Sequence, residues 1–187
     1  MPLRSATVLV STGSFFRDVS MAVLLSLCPV SAWSATATIN PSADNTLAEE
    51  LPVNSSGECE WIFSGMTDNN VARRAVLKFD IAGNIPVGST INSVRLEMTV
   101  TRGGNHADAT MSLHRVPADW GEGTNTCGVR GGGQGEPAVD GAATWLSAFH
   151  NQTPWGTPGG DFDVTPSGST LVDNTTPVWD SNTTGNA

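Results

Sequence analysis

The stretch that most constrains the fold runs from Arg73 to Arg102 and reads RRAVLKFDIAGNIPVGSTINSVRLEMTVTR. Its second half alternates: Val94, Leu96, Met98 and Val100 on one side, Arg95, Glu97, Thr99 and Thr101 on the other. A period of two over this length predicts a strand with one dry and one wet face. In the first half Ala75, Leu77, Phe79 and Ile81 point inward and Arg74, Lys78 and Asp80 outward, while Val76 breaks the pattern. Between the halves, Ile85-Pro86-Val87-Gly88 has turn chemistry, with proline presetting φ and glycine closing the turn. Strands with one buried face belong to antiparallel sheets, and two such sheets packed together make a sandwich.

The rest of the chain fits an all-β domain. Its 187 residues suffice for one domain with a core, and 20 glycines and 11 prolines punctuate many short strands. Further strands are expected at Thr36–Ile39, Trp61–Ser64 and Thr110–Val116, the last with Met111 and Leu113 inward. Residues 142–149 read as a short helix or a strand, because Trp145, Leu146 and Phe149 share a helical face. Residues 118–139 form a long glycine-rich loop, a length that marks a functional or mobile segment. After Leu171–Trp179 the chain ends in a polar tail and no further strand closes the sheet. The domain therefore reads as C-terminally incomplete, with an edge able to pair with another chain; a flexible tail is the plainer alternative.

Several phrases, in order, resemble one family. They are Arg74-Ala75-Val76-Leu77-Lys78-Phe79-Asp80-Ile81, Ile85-Pro86-Val87-Gly88-Ser89-Thr90-Ile91 and Val94-Arg95-Leu96, followed by Leu113-His114-Arg115-Val116, Asp119-Trp120-Gly121-Glu122-Gly123, Ala143-Thr144-Trp145-Leu146 and Pro158-Gly159-Gly160-Asp161-Phe162. From about Ala37 onward the chain is similar to the DNRLRE (disaggregatase-related) domains. The resemblance implies a jelly-roll-like β-sandwich, secreted or attached to the cell surface, of a kind found on polysaccharide-active enzymes and in part carbohydrate-binding. It implies no catalytic signature.

Residues 1–37 read as an export signal: Arg4 and Arg17 are charged, Met21–Val30 is apolar, and Ala35-Thr36-Ala37 offers small residues for cleavage. The apolar run is too short to span a bilayer, so no membrane span is expected. Leu27 is too bulky for Cys28 to be a lipoprotein anchor. Removing the signal leaves Cys59 and Cys127, which in an exported chain suggest one disulfide, with two unrelated thiols as the alternative.

The formal net charge is −9 and Lys78 is the sole lysine, so nucleic acid and anionic membranes are poor partners. His106, His114 and His150 lie far apart, and no GxSxG, HExxH or P-loop pattern occurs. Gly131-Gly132-Gly133-Gln134-Gly135 lacks the lysine and helix of a phosphate cradle. Asp119, Glu122, Asp161 and Asp163 could still converge from different loops for acid–base chemistry.

Two binding sites are candidates. Trp120, Trp145 and Trp155 lie in or beside the long loops and could stack sugar rings, with Glu122, Asp119 and Gln152 orienting hydroxyls; the competing role is packing the loops onto the sandwich. Asp44, Asp161 and Asp163 are candidate carboxylate ligands for a structural calcium, against the commoner case of solvated loop aspartates. The expected function is a non-catalytic extracellular module that binds polysaccharide or another glycan. Its alternatives are a structural domain that pairs with other protein chains through a sheet edge, and a fragment of a polysaccharide-degrading enzyme.

Overall fold

The computed structural model describes residues 2–14, 35–101, 109–129, 133–172 and 177–180. The chain is all-β, and its strands in order are β1 (Pro2–Ser14), β2 (Ala35–Ile39), β3 (Ala43–Ala48), β4 (Asn54–Ser55), β5 (Ile62–Phe63), β6 (Gly65–Met66) and β7 (Ala72–Lys78), then, after the single helical turn α1 (Ile81–Asn84), β8 (Ser89–Val100), β9 (Ala109–Leu113), β10 (Glu136–Pro137), β11 (Ser147–Phe149), β12 (Thr153–Pro154), β13 (Gly168–Val172) and β14 (Val178–Asp180). All pairings are antiparallel. One sheet runs β14-β8-β1-β2 with β5 also on β1; a second runs β3-β7-β6; β13-β9, β10-β4 and β11-β12 are separate pairs.

The strand pair at the centre of the sequence argument forms β7 and β8. The turn falls one residue later than expected, over Pro86–Ser89, and a helical turn precedes it. The Asp80 carboxylate accepts a hydrogen bond from the Gly83 backbone N–H at 2.9 Å, which turns Ile81–Asn84 into a helical turn before the proline. Ser89 N–H then donates to the Pro86 carbonyl at 3.1 Å, and Gly88 takes a φ of 85° that a side chain would strain.

The inward face of this pair builds the first core. Ile39 of β2, Ile62 of β5, Ile85, Leu96 and Met98 of β8 and Val172 of β13 are buried together, with Ala75, Leu77, Phe79, Met111 and Leu113 packed partly buried around them. The five-stranded sheet lies on one side of this cluster and β7, β9 and β13 on the other, a sandwich-like arrangement.

The other face of β7 departs from the sequence expectation. Val76, whose partner in register is Asn45, is buried in a second cluster with Leu47, Trp120, Ala143, Trp145, Ala148 and Trp155. The face that reads as wet is covered by the loops that follow β9. Asn45, Thr46, Leu47 and Ala48 are consecutively buried because both sides of β3 are covered. Arg74 and Lys78 lie over indole rings: the Arg74 guanidinium carbon is 5.0 Å from the Trp145 ring centroid, and the Lys78 ammonium is 5.4 Å from that of Trp120.

Strands also lie near both ends of the described residues. Pro2–Ser14, within the segment that reads as an export signal, is a strand between β8 and β2, paired from Leu3↔Val100 to Ser14↔Ser89 with two register shifts against β8. The run Thr7-Val8-Leu9-Val10-Ser11-Thr12 is rich in β-branched residues, which favour an extended backbone. The apolar run Met21–Val30 and Cys28 lie outside the described residues. At the other end β13 pairs with β9 and β14 with β8, so both reach into the sheets. Residues 147–149 are strand rather than helix, and residues 118–139 contain the short strand β10. Among the described residues, no helix is long and apolar enough to cross a membrane.

Candidate functional site

The loops after β9 hold most of the residues singled out above, and the structure gives them specific partners. Trp120, Trp145 and Trp155 are 4%, 8% and 6% exposed and belong to the second core, so their rings are not available to stack on a sugar. This corrects the expected tryptophan platform. An indole buries more apolar area than any other side chain, and a loop lacking regular apolar strands gains most of its cohesion from burying it. Trp155 also satisfies its polar end, donating from Nε1 to the Thr144 carbonyl at 2.9 Å. The Trp145 ring packs against Gly159, where a Cβ would stand 2.9 Å from the ring and where φ is 90°. The Arg74 guanidinium donates to the Gly159 carbonyl at 2.7 Å and lies between the rings of Trp145 and Phe162.

Glu122 is a fastener rather than a ligand group. Its Oε1 accepts from the Asp44 backbone N–H at 2.9 Å, and its carbonyl accepts from Asn45 Nδ2 at 2.9 Å. Asn45, fully buried, is the hub of this joint. Its Nδ2 also donates to Ser55 Oγ (2.7 Å) and the Ala143 carbonyl (3.2 Å), and its Oδ1 accepts from the backbone N–H groups of Thr46 (2.7 Å) and Ser56 (3.0 Å). One amide thus ties β3, β4 and two separate loop segments together. The Cys59–Cys127 disulfide, 68 residues apart in sequence, clips the same region, as the two cysteines suggest.

The proposed calcium ligands do not converge. Among the described residues no group of three His, Cys, Asp or Glu side chains is placed to hold a metal ion. Asp161 instead closes its own loop, its carboxylate accepting from the N–H groups of Gly156 (2.7 Å) and Thr157 (2.8 Å). Asp163 donates its backbone N–H to the Arg115 carbonyl and accepts at its carbonyl from His114 Nδ1. Short aspartate side chains in loops readily satisfy nearby backbone donors, and that local use competes with metal binding. Asp44 stands apart with its Oδ1 buried and unpartnered. Burial, and then the neighbouring Glu122 carboxylate, push its carboxyl up to about 6. Asp119 goes the other way: a hydrogen bond from Lys78, then one from the Trp120 backbone, then the lysine charge hold it below its ordinary value.

The four carboxylates suggested for acid–base work are therefore committed to loop closure, an ion pair with Lys78 or solvent. What the loops present outward instead is an open groove of about 310 Å³ lined by Val53, Leu146, Ser147, His150, Asn151, Gln152, Thr153 and Pro154. Its wall is the β11–β12 hairpin. Thr144 Oγ1 accepts from Leu146 N–H (3.2 Å) and Ser147 N–H (3.0 Å), and Trp155 N–H donates to the Leu146 carbonyl (3.1 Å). These bonds sink Trp145 and Trp155 and leave the intervening Leu146 41% exposed. The hairpin tip is fixed by His150 N–H to the Ala142 carbonyl (2.8 Å), Gly141 N–H to the His150 carbonyl (2.9 Å) and Asn151 Nδ2 to Asp140 Oδ1 (2.7 Å), with Asn151 itself at a φ of 59°. Gln152 was expected in a sugar site and lies here; Val53, Leu146, His150 and Thr153 were not singled out for binding. The sequence signal that points to them is the tip itself, His150-Asn151-Gln152-Thr153-Pro154, a polar turn with an αL-tolerant asparagine.

Compared with protein-family models, with curated proteins and with solved structures, the chain matches none.

Proposed function

We propose that this chain is a non-catalytic binding module of the extracellular space, of DNRLRE type, and that its ligand is carbohydrate. The observation that carries the reading is the groove at the β11–β12 hairpin. Binding sites for small polar ligands combine a mainly apolar wall with a few polar groups, and 310 Å³ is at the lower end of their volumes. Val53, Leu146 and Pro154 supply the wall, and imidazole, amide and hydroxyl groups the polar rim. The disulfide suits an oxidising compartment. The ordered phrases that resemble DNRLRE domains fit an all-β architecture. Screening the full chain on a glycan array is the test: retention on glycans supports the reading, and a blank array removes it.

A second reading is a structural domain that pairs with other chains. It is favoured by one edge of β8, where β14 pairs with Arg95–Glu97. Among the described residues no strand pairs with Ser89–Ser93 on that side, and Ile91 there is 42% exposed. Concentration-dependent association that Ile91→Lys abolishes would favour this reading over the first.

A further inference from the structure

Resting on the carbohydrate reading above, we infer that the groove takes an uncharged sugar unit, with Leu146 and Val53 meeting the C–H face of the ring and His150, Gln152 and Thr153 reading its hydroxyls. Three observations carry this. Leu146 and Val53 are 41% and 48% exposed although both stand on well-bonded backbone, so they are held outward rather than left loose. Among the described residues, no hydrogen bond engages the side chains of His150, Gln152 or Thr153, so imidazole, amide and hydroxyl keep their donors and acceptors for a ligand. Asn151, by contrast, is spent on Asp140 and acts as a positioning residue for the tip.

Charge decides the class of sugar. No lysine, arginine, aspartate or glutamate lines the groove, and the nearest fixed charge that the hairpin bonds is the Asp140 carboxylate. The chain as a whole carries −9. A uronate or sulfated unit would find no guanidinium or ammonium partner among the lining residues, and the carboxylate bonded to the hairpin tip, Asp140, repels it. A neutral pyranose asks only for an apolar contact on its face and hydrogen bonds at its rim.

The test is affinity electrophoresis of the full, oxidised chain through gels containing galactomannan, xyloglucan or mixed-linkage β-glucan, with alginate as the anionic arm. The expected result is retardation in at least one neutral gel and none in alginate. Gln152→Ala and His150→Ala should each weaken retardation about tenfold, in line with loss of one direct hydrogen bond to a ligand. Leu146→Ser should abolish it, with the thermal midpoints of all three close to that of the parent. Three outcomes overturn the inference. Retardation in a neutral gel that survives all three substitutions places the sugar elsewhere on the chain and leaves the carbohydrate reading standing. Retardation in alginate alone contradicts the neutral class. No retardation in any gel, with a blank glycan array, removes the carbohydrate reading and the groove assignment with it.

Discussion

The two faces of β7 are built from the same seven residues and are buried by different means. On one face Ala75 and Leu77 meet strands β8, β9 and β13, and each contributor to that core comes from an alternating segment or its flank. On the other, Arg74, Val76 and Lys78 meet three tryptophans delivered by loops. The first core is a property of period; the second is a property of a few large side chains, one amide hub and one disulfide. A face bearing two cations is a poor sign of burial. Here it is buried because an indole can lie on the alkyl stem and under the charge at once.

That difference predicts different fragilities. Among the links that tie the loops down, the largest effect should come from the staple. Reducing Cys59–Cys127 frees a loop of 68 residues, and the chain-entropy account assigns this about 4 kcal/mol. Denaturant melts with and without dithiothreitol measure it, and the loss should fall on a single cooperative transition if the two cores are one unit. A separate early transition would mean that the loop-built core unfolds alone.

Next comes the hub. Asn45→Ala leaves the Thr46 and Ser56 N–H groups and the Glu122 and Ala143 carbonyls without their partner in a buried setting. Each orphaned group costs about 1–3 kcal/mol before relaxation, so a loss of at least about 2 kcal/mol is expected in urea melts. A loss below about 0.5 kcal/mol, the range of ordinary surface positions, would show that water enters the joint without penalty.

The smallest effect is a pH dependence. The Asp44 carboxyl is raised to about 6, so the folded chain holds that proton more tightly than the unfolded chain does. Its contribution therefore rises as pH falls through about 6, and is complete below the ordinary carboxylate value near about 4. Above pH 6 the buried carboxylate beside Glu122 is a liability. Asp44→Asn should raise the thermal midpoint relative to the parent at pH 8, and the gap should close by about pH 4. A constant gap across that range would mean that the Asp44 oxygen is solvated.

What could be read from the sequence follows the same division. The alternation of Val94–Val100 and the turn at Pro86 and Gly88 anticipate β7, β8 and the first core, because a one-faced strand writes its burial directly into its period. The disulfide was accessible from a count of cysteines. The second core was not, since its residues come from loops with no period, and Trp120, Trp145 and Trp155 fit a binding platform and a packing role equally well on paper. One trace of it was present: Val76, the apolar residue on the wrong face of β7, marks where the second core sits. Nothing in the sequence distinguished Asn45 from other loop-flanking asparagines, because its role lies in partners 10, 77 and 98 residues away. Strand β1 lies within the segment that reads as an export signal, so no strand was expected there. The groove was half visible, through Gln152, because its wall is assembled from a hairpin and from Val53 at a long distance in sequence.

The central claim is that the loop tryptophans form a core, and Trp155→Ala tests it most directly. Trp155 is buried, donates to the Thr144 carbonyl and lies directly after the groove-lining Pro154. Urea denaturation of the full oxidised chain should show a loss of about 3–5 kcal/mol, comparable to that of a core substitution such as Leu96→Ala. An unchanged midpoint together with lost polysaccharide retention would contradict the claim and return Trp155 to a binding surface.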